Sequence, residues 1–156
     1  MKLLKLGLAL CVLMIALTGC FEMKEPPTPN PNGVTIALHN VLSYIEPQGV
    51  KLEADVKSGE TSEWVLNNIK PDDFKLKEKP PERISIYIFQ NITEREKGFT
   101  DFNNKKAQYN MIVPIAWQSE NVLVLYWHSS PGGQKPTFED KISKGLKDWK
   151  MQFPNK

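Results

Sequence analysis

The sequence predicts an α+β domain: a two-layer sandwich of about three helices on a small antiparallel or mixed sheet. Three observations carry this. Apolar residues recur at helical spacing near 34–45, 93–107 and 137–153. They alternate with other residues near 50–56 and 84–89, and they run nearly unbroken through 121–127. The elements follow one another as helix, strand, an undecided segment, a strand pair, helix, a second strand pair and helix, with no internal repeat.

The first helix rests on Val34, Leu38, Val41, Leu42 and Ile45, which share one face at 100° per residue; Pro47 and Gly49 stop it. Val50, Leu52, Ala54 and Val56 then alternate with Lys51, Glu53, Asp55 and Lys57, the pattern of a half-buried strand, and Ser58, Gly59 and Glu60 read as a turn. Residues 61–70 carry Trp64, Val65, Leu66 and Ile69 and suit a helical turn or a strand equally. Phe74 and Leu76 suggest a short strand. A loop at Lys79, Pro80, Pro81 and Glu82 leads from it to a second strand, with Ile84, Ile86 and Ile88 on one face and Tyr87 and Phe89 on the other.

Thr93 and Glu96 have capping-box spacing and open a helix to about Ala107, with Phe99 and Phe102 inward. Gly98 weakens that helix, which implies a close neighbour. A strand is expected over 111–116, a turn from Trp117 to Glu120, and a strand buried on both faces from Asn121 to Trp127. Ser129, Ser130, Pro131, Gly132 and Gly133 form a loop. The last helix gathers Phe138, Ile142, Leu146, Trp149 and Phe153 within about 80° of arc, and spreads Lys141, Lys144, Lys147 and Lys150 over the opposite side.

Residues ahead of this domain have another character. Lys2 and Lys5 precede an apolar run from Leu6 to Leu17, which is shorter than the ~20 residues a membrane-spanning helix needs. Leu17, Thr18, Gly19 and Cys20 follow. This quartet resembles the lipobox of bacterial lipoproteins. The resemblance implies that the Cys20 thiol receives a diacylglyceryl group and that the chain is cut before Cys20, so that 1–19 is a signal peptide. Two acyl chains give stable anchoring where one gives only marginal binding. Residues 20–33 then form a tether, in which Pro26, Pro27, Pro29 and Pro31 favour polyproline II. At ~3.1 Å per residue such a spacer reaches roughly 40 Å from the lipid. The single folded domain spans 34–156.

Composition narrows the function classes. The precursor holds 20 basic and 18 acidic residues. Loss of Lys2 and Lys5 with the leader brings the mature side chains to balance. A nucleic-acid partner is therefore not expected, since counterion release needs a basic excess. Cys11 would leave with the leader and Cys20 would be consumed by lipid, so stability must come from a hydrophobic core rather than disulfides.

A second resemblance covers about 84–127. Ile86, Tyr87, Ile88 and Phe89, then Thr93 to Phe99 with Arg95 and Gly98, then Asn121 to Tyr126, look like small uncharacterised lipoproteins of Bacillus-type Gram-positive bacteria. Those share a strand, a helix opening with charged residues up to Arg-x-x-Gly, and a second hydrophobic strand. The likeness carries no activity and no site residue with it.

Motifs with chemistry are sparse. His39 and His128 lack metal-ligand spacing, and no cofactor or metal is expected. Ser129 and Ser130 beside His128 lack the context of a nucleophile elbow. Binding candidates are Trp117, placed in a turn as an exposed aromatic, and Trp127 with His128 at the end of a buried strand, where they would line a groove if they converged. The expectation is a lipid-anchored envelope lipoprotein on the extracytoplasmic face of the cell membrane, a non-enzymatic binding or accessory module for an envelope protein or wall component. The alternative is a small cell-envelope hydrolase using His128 with nearby serines or acids.

Overall fold

The structure is a computed structural model that describes residues 36–152, without the side chains of Glu60, Lys150, Met151 and Gln152. The expected signal peptide, Cys20, the tether, Val34 and Phe153 lie outside the described residues. In chain order the elements are α1 (Leu38–Ile45), a 3-10 turn (Glu46–Gln48), β1 (Leu52–Ala54), α2 (Val56–Thr61), β2 (Asp72–Leu76) and β3 (Arg83–Ile88). There follow α3 (Ile92–Lys106), β4 (Ile115–Ser119), β5 (Val122–Trp127) and α4 (Glu139–Gln152). The five strands form one sheet in the order β1-β2-β3-β5-β4, and every neighbouring pair is antiparallel. The fold is α+β, helices on a small antiparallel sheet, as the sequence predicts.

Strands β3 and β5 are its centre, paired over six residues from Arg83 opposite Trp127 to Ile88 opposite Val122. Side chains alternate across the pleat. Ile84, Ile86, Val122, Val124 and Tyr126 point to one face and pack there with Val41 and Ile45 of α1 and Ile142, Leu146 and Trp149 of α4. Tyr87, Leu123 and Leu125 point to the other face and meet Phe102 of α3 and Leu66 of the preceding loop. Helix α3 thus extends the sandwich by covering the second face of the sheet.

Helices α1 and α4 approach through Gly145. A Cβ added there would lie 2.5 Å from the Tyr44 carbonyl oxygen. Gly98 has the close neighbour that its helix position implied: a methyl group on it would overlap the Phe89 ring. The loop 62–70, which the sequence left undecided, forms a tight turn in which Leu66 and Ile69 exchange 2.9 Å backbone hydrogen bonds. Asn67 and Asn68 between them take φ of 45° and 62°, a left-handed conformation that asparagine tolerates well. Side chains of α3 hold this turn. Asp101 accepts the Asn67 N–H at 2.7 Å, Glu94 accepts the Asn67 amide at 2.6 Å, and Lys105 donates to the Val65 carbonyl at 2.9 Å.

Four local expectations are corrected. The turn at Ser58, Gly59 and Glu60 is part of α2 instead. Asp73 draws that segment over the sheet edge, accepting the Ser58 hydroxyl at 2.9 Å while its carbonyl takes the Asp55 N–H at 2.7 Å. Val56 consequently leaves the predicted strand and is 65% exposed. The cap of α3 is Asn91, whose Oδ1 accepts the Glu94 N–H at 2.9 Å, rather than Thr93; asparagine caps at least as well as threonine. Finally, β4 begins at Ile115, directly after Pro114, and includes Trp117. Proline has no N–H to give a ladder, so pairing starts beyond it and the turn is confined to Glu120 and Asn121.

Asn121 also secures the start of the domain. Its Oδ1 accepts the Ile36 N–H at 2.9 Å, and its Nδ2 donates to the Ile36 carbonyl at 3.2 Å and the Phe89 carbonyl at 2.8 Å. All these groups are buried, so each left unpaired costs about 1–3 kcal/mol. Asn121→Ala is expected to lower stability by roughly 2–4 kcal/mol, read in urea unfolding. Gly145→Ala should cost about 1–3 kcal/mol by forcing α1 and α4 apart, although alanine ordinarily favours a helix over glycine by about 1 kcal/mol; thermal melts of the two proteins decide the sign.

Candidate ligand-binding cleft

The residues singled out from the sequence do not form one surface. Trp117 lies on the α1/α4 side of the sheet, packed against that core in register with Val124. It is partly buried in a strand, not exposed in a turn. Trp127 lies on the α3 side, and its ring is occupied from several directions. Trp64 approaches to 4.9 Å between ring centroids, the Arg83 guanidinium lies 4.8 Å from the ring centre, and the indole N–H donates to Ser85 Oγ at 2.8 Å. These contacts join a buried polar cluster in which the Ser85 hydroxyl donates to Asp73. Trp127 is thereby a structural residue of the second core.

His128 rests on Tyr126, ring centroids 5.8 Å apart, with its Nδ1 buried and unpartnered among the described residues. Ser129 does not turn to it. The Ser129 hydroxyl donates to Glu82 Oε1 at 3.0 Å, and the same oxygen takes the Ser129 N–H at 3.3 Å. Glu82 is 1% exposed. It also accepts the Tyr126 hydroxyl and pairs with Lys79 Nζ at 3.2 Å, which in turn donates to Thr137 Oγ1 at 2.7 Å. Burial alone pushes the Glu82 carboxyl up, but the hydrogen bonds from Tyr126, Ser129 and Lys79 outweigh it and hold the group below its ordinary value. Burial and the Glu82 charge push the Tyr126 phenol up. This network fastens the β2–β3 loop to the end of β5 and to the approach to α4; it does not pair Ser129 with His128. Among the described residues no three His, Cys, Asp or Glu side chains gather in a way that would hold a metal ion.

Concave surface lies elsewhere, on the α1/α4 side. Between β4, β5 and α4 is a cleft of about 120 Å³. Trp117, Val122, Val124, Leu146 and Trp149 make its apolar walls, and Ser119, Ser143 and Lys147 its polar ones. The local sequence explains the placement. Trp117 and Ser119 occupy alternate positions of edge strand β4, and therefore share a face. Ser143, Leu146 and Lys147 follow at helical spacing on α4. Gln118 lies between Trp117 and Ser119 and gives its side chain to the other face, where it accepts from Arg95 Nη1 at 2.7 Å.

Apart from Gln118, the polar side chains lining this cleft make no hydrogen bond among the described residues. The Trp149 indole N–H is buried with no partner among the described residues. The Ser119 and Ser143 hydroxyls and the Lys147 ammonium likewise have none among them, whereas nearby Lys144 is engaged by Gln48 and Asp148. Native interiors pair nearly all buried polar groups, so an orphaned indole N–H in a residue that lines an apolar cleft stands out. No residue with chemistry was legible here from sequence except Trp117. Trp149 reads as core by its position on α4, and its unmatched nitrogen is a fact of packing.

A second concavity of about 470 Å³ runs along the β1 edge, with Leu38, Leu42, Val56 and Phe74 among its walls. Asp72 stands in it with its carboxyl pushed up by burial and by the neighbouring Asp73 charge. No protein-family model, curated protein or solved structure matches the chain.

The Glu82 network makes a prediction about acid. A carboxyl held below its unfolded value contributes stability that is complete above the unfolded pKa of ~4.3 and disappears as pH falls through the folded value. The stability gap between the native chain and Glu82→Gln should therefore be widest above about pH 5 and narrow steadily toward pH 3. Urea midpoints of the two proteins across that range measure it, and a gap that stayed constant would assign the role of Glu82 to shape alone.

Proposed function

We propose that the chain is a bacterial envelope lipoprotein, held to the extracytoplasmic face of the cell membrane by lipid on Cys20, whose domain is a non-enzymatic binding or accessory module. The leader supports the placement: Lys2 and Lys5, a short apolar run, then Leu17, Thr18, Gly19 and Cys20. The prolines at 26, 27, 29 and 31 supply a spacer between lipid and domain. At the domain border Asn121 grips Ile36 by both its N–H and its carbonyl, so a pull on the tether is delivered to the centre of the sheet rather than to a fraying end.

The cleft between β4 and α4 is the observation that carries the binding role. It is concave, mostly apolar, and edged by donors that the described residues do not satisfy, the character of small-ligand sites in general. The hydrolase alternative has less to rest on, since His128 and Ser129 are not paired: the Ser129 hydroxyl donates to the Glu82 carboxylate, which Tyr126 and Lys79 also engage. Partners consistent with the placement are an envelope protein or a wall component.

Cys20→Ser tests the anchor. The native chain is expected to incorporate labelled palmitate and to sediment with membranes; the variant should lose the label and leave the membrane fraction. A variant that remained membrane-bound without label would overturn lipid anchoring at Cys20.

A further inference from the structure

We propose that the cleft between β4 and α4 is a binding site for a small carboxylate with a compact apolar body, aromatic or branched. The proposal deepens the binding-module reading and rests on it. Size comes first. A cleft of about 120 Å³ is near the ~150 Å³ of an apolar cavity that admits benzene, which suits a single ring or a short branched chain. The walls come next: two indoles, Trp117 and Trp149, with Val122, Val124 and Leu146 offer flat and aliphatic surface in contact range.

Charge and hydrogen bonding then choose the head group. Among the described residues Lys147 is the one charged residue lining the cleft, and none of them brings an acid to it. Its ammonium has no carboxylate partner among the described residues, although Lys144, one turn earlier, has Asp148 at 3.1 Å. The indole N–H of Trp149 can only donate. The Ser119 and Ser143 hydroxyls have no partner among the described residues. A lining that carries donor groups and one cation, with no anion among the described residues, is matched by a ligand whose polar end only accepts and carries negative charge. A neutral ligand would leave the Lys147 charge unused, and a cation would meet it. The groove along the β1 edge differs in this respect, since Asp72 stands in it.

The four tryptophans provide the test and its control. Trp117 and Trp149 line the cleft, whereas Trp64 and Trp127 lie on the opposite face of the sheet. The full chain labelled with 5-fluorotryptophan and kept in non-ionic detergent would be titrated with benzoate and, separately, benzyl alcohol, and followed by fluorine NMR; Trp→Phe variants assign the resonances. Benzoate is expected to shift Trp117 and Trp149 saturably and to leave Trp64 and Trp127 in place, with benzyl alcohol binding more weakly. Lys147→Gln, a change on an exposed helix face that the fold tolerates, should weaken benzoate about three- to fivefold and leave benzyl alcohol unchanged.

Equal affinity for the two probes in the native chain would overturn the carboxylate class while leaving a binding cleft in being. Absence of a saturable shift of Trp117 and Trp149 with either probe would overturn the site itself, whatever membrane or wall fractions retain the protein. Benzoate binding seen only after Phe153→Ala would assign the cleft to the chain's own C-terminal end. A shift of the same two resonances on raising protein concentration without ligand would assign it to a second copy. Each of these last two results overturns the proposal.

Discussion

The fold depends on burying two adjacent strands on both of their faces. From Val122 to Tyr126 every residue of β5 is at most 1% exposed, and its neighbour β3 contributes Ile84 and Ile86 to one side and Tyr87 to the other. Apolar surface of this extent gains roughly 25 cal/mol for each Å² removed from water, so a sheet left bare on one side would forfeit much of its driving force. Helices α1 and α4 close the first face. Helix α3 closes the second, and because one helix is narrow for a five-stranded sheet, the loop 62–70 fills the remainder with Trp64 and Leu66. The side chains of Glu94, Asp101 and Lys105 then hold that loop to the helix.

Polar groups trapped by this packing are matched almost everywhere, and each match ties distant parts of the chain together. Asp73 joins α2 to β3 through Ser58 and Ser85. Glu82 joins the β2–β3 loop to β5 and the loop beyond it through Tyr126 and Ser129. Asn121 joins the domain's first described residue to the β3 end. An acid or amide in such a place is costly without partners and useful with them, since satisfied buried networks fix one arrangement of the surrounding elements. These groups hold the fold together.

The cleft at the β4 edge departs from that rule, since the buried indole N–H of Trp149, one of its lining residues, has no acceptor among the described residues. It also adjoins Ile36, the first described residue. Ser119 and Val122 flank the same short turn whose Asn121 grips Ile36. In the proposed lipoprotein, an occupant of the cleft would therefore sit against the part of the sheet that bears the tether.

The sequence alone was sufficient for the α+β class, the central strands, the inward faces of α3 and α4 and the close approach at Gly98. All of these follow from side-chain periodicity and backbone preference, which are properties of neighbouring residues. The turn at Asn67 and Asn68 was readable too, since paired asparagines favour a left-handed tight turn, but its aromatic surroundings obscured it. Tertiary structure decided what depends on residues far apart in the chain. Proline 114 and the ladder with β5 moved Trp117 out of a turn and into an edge strand, and the pleat sent Trp117 and Trp127 to opposite faces of the sheet. Likewise only packing could show that Ser129 belongs to Glu82, 47 positions away, or leave the Trp149 nitrogen without a partner among the described residues. Hydrogen bonds of this kind are settled by distance in space, and no local pattern encodes them.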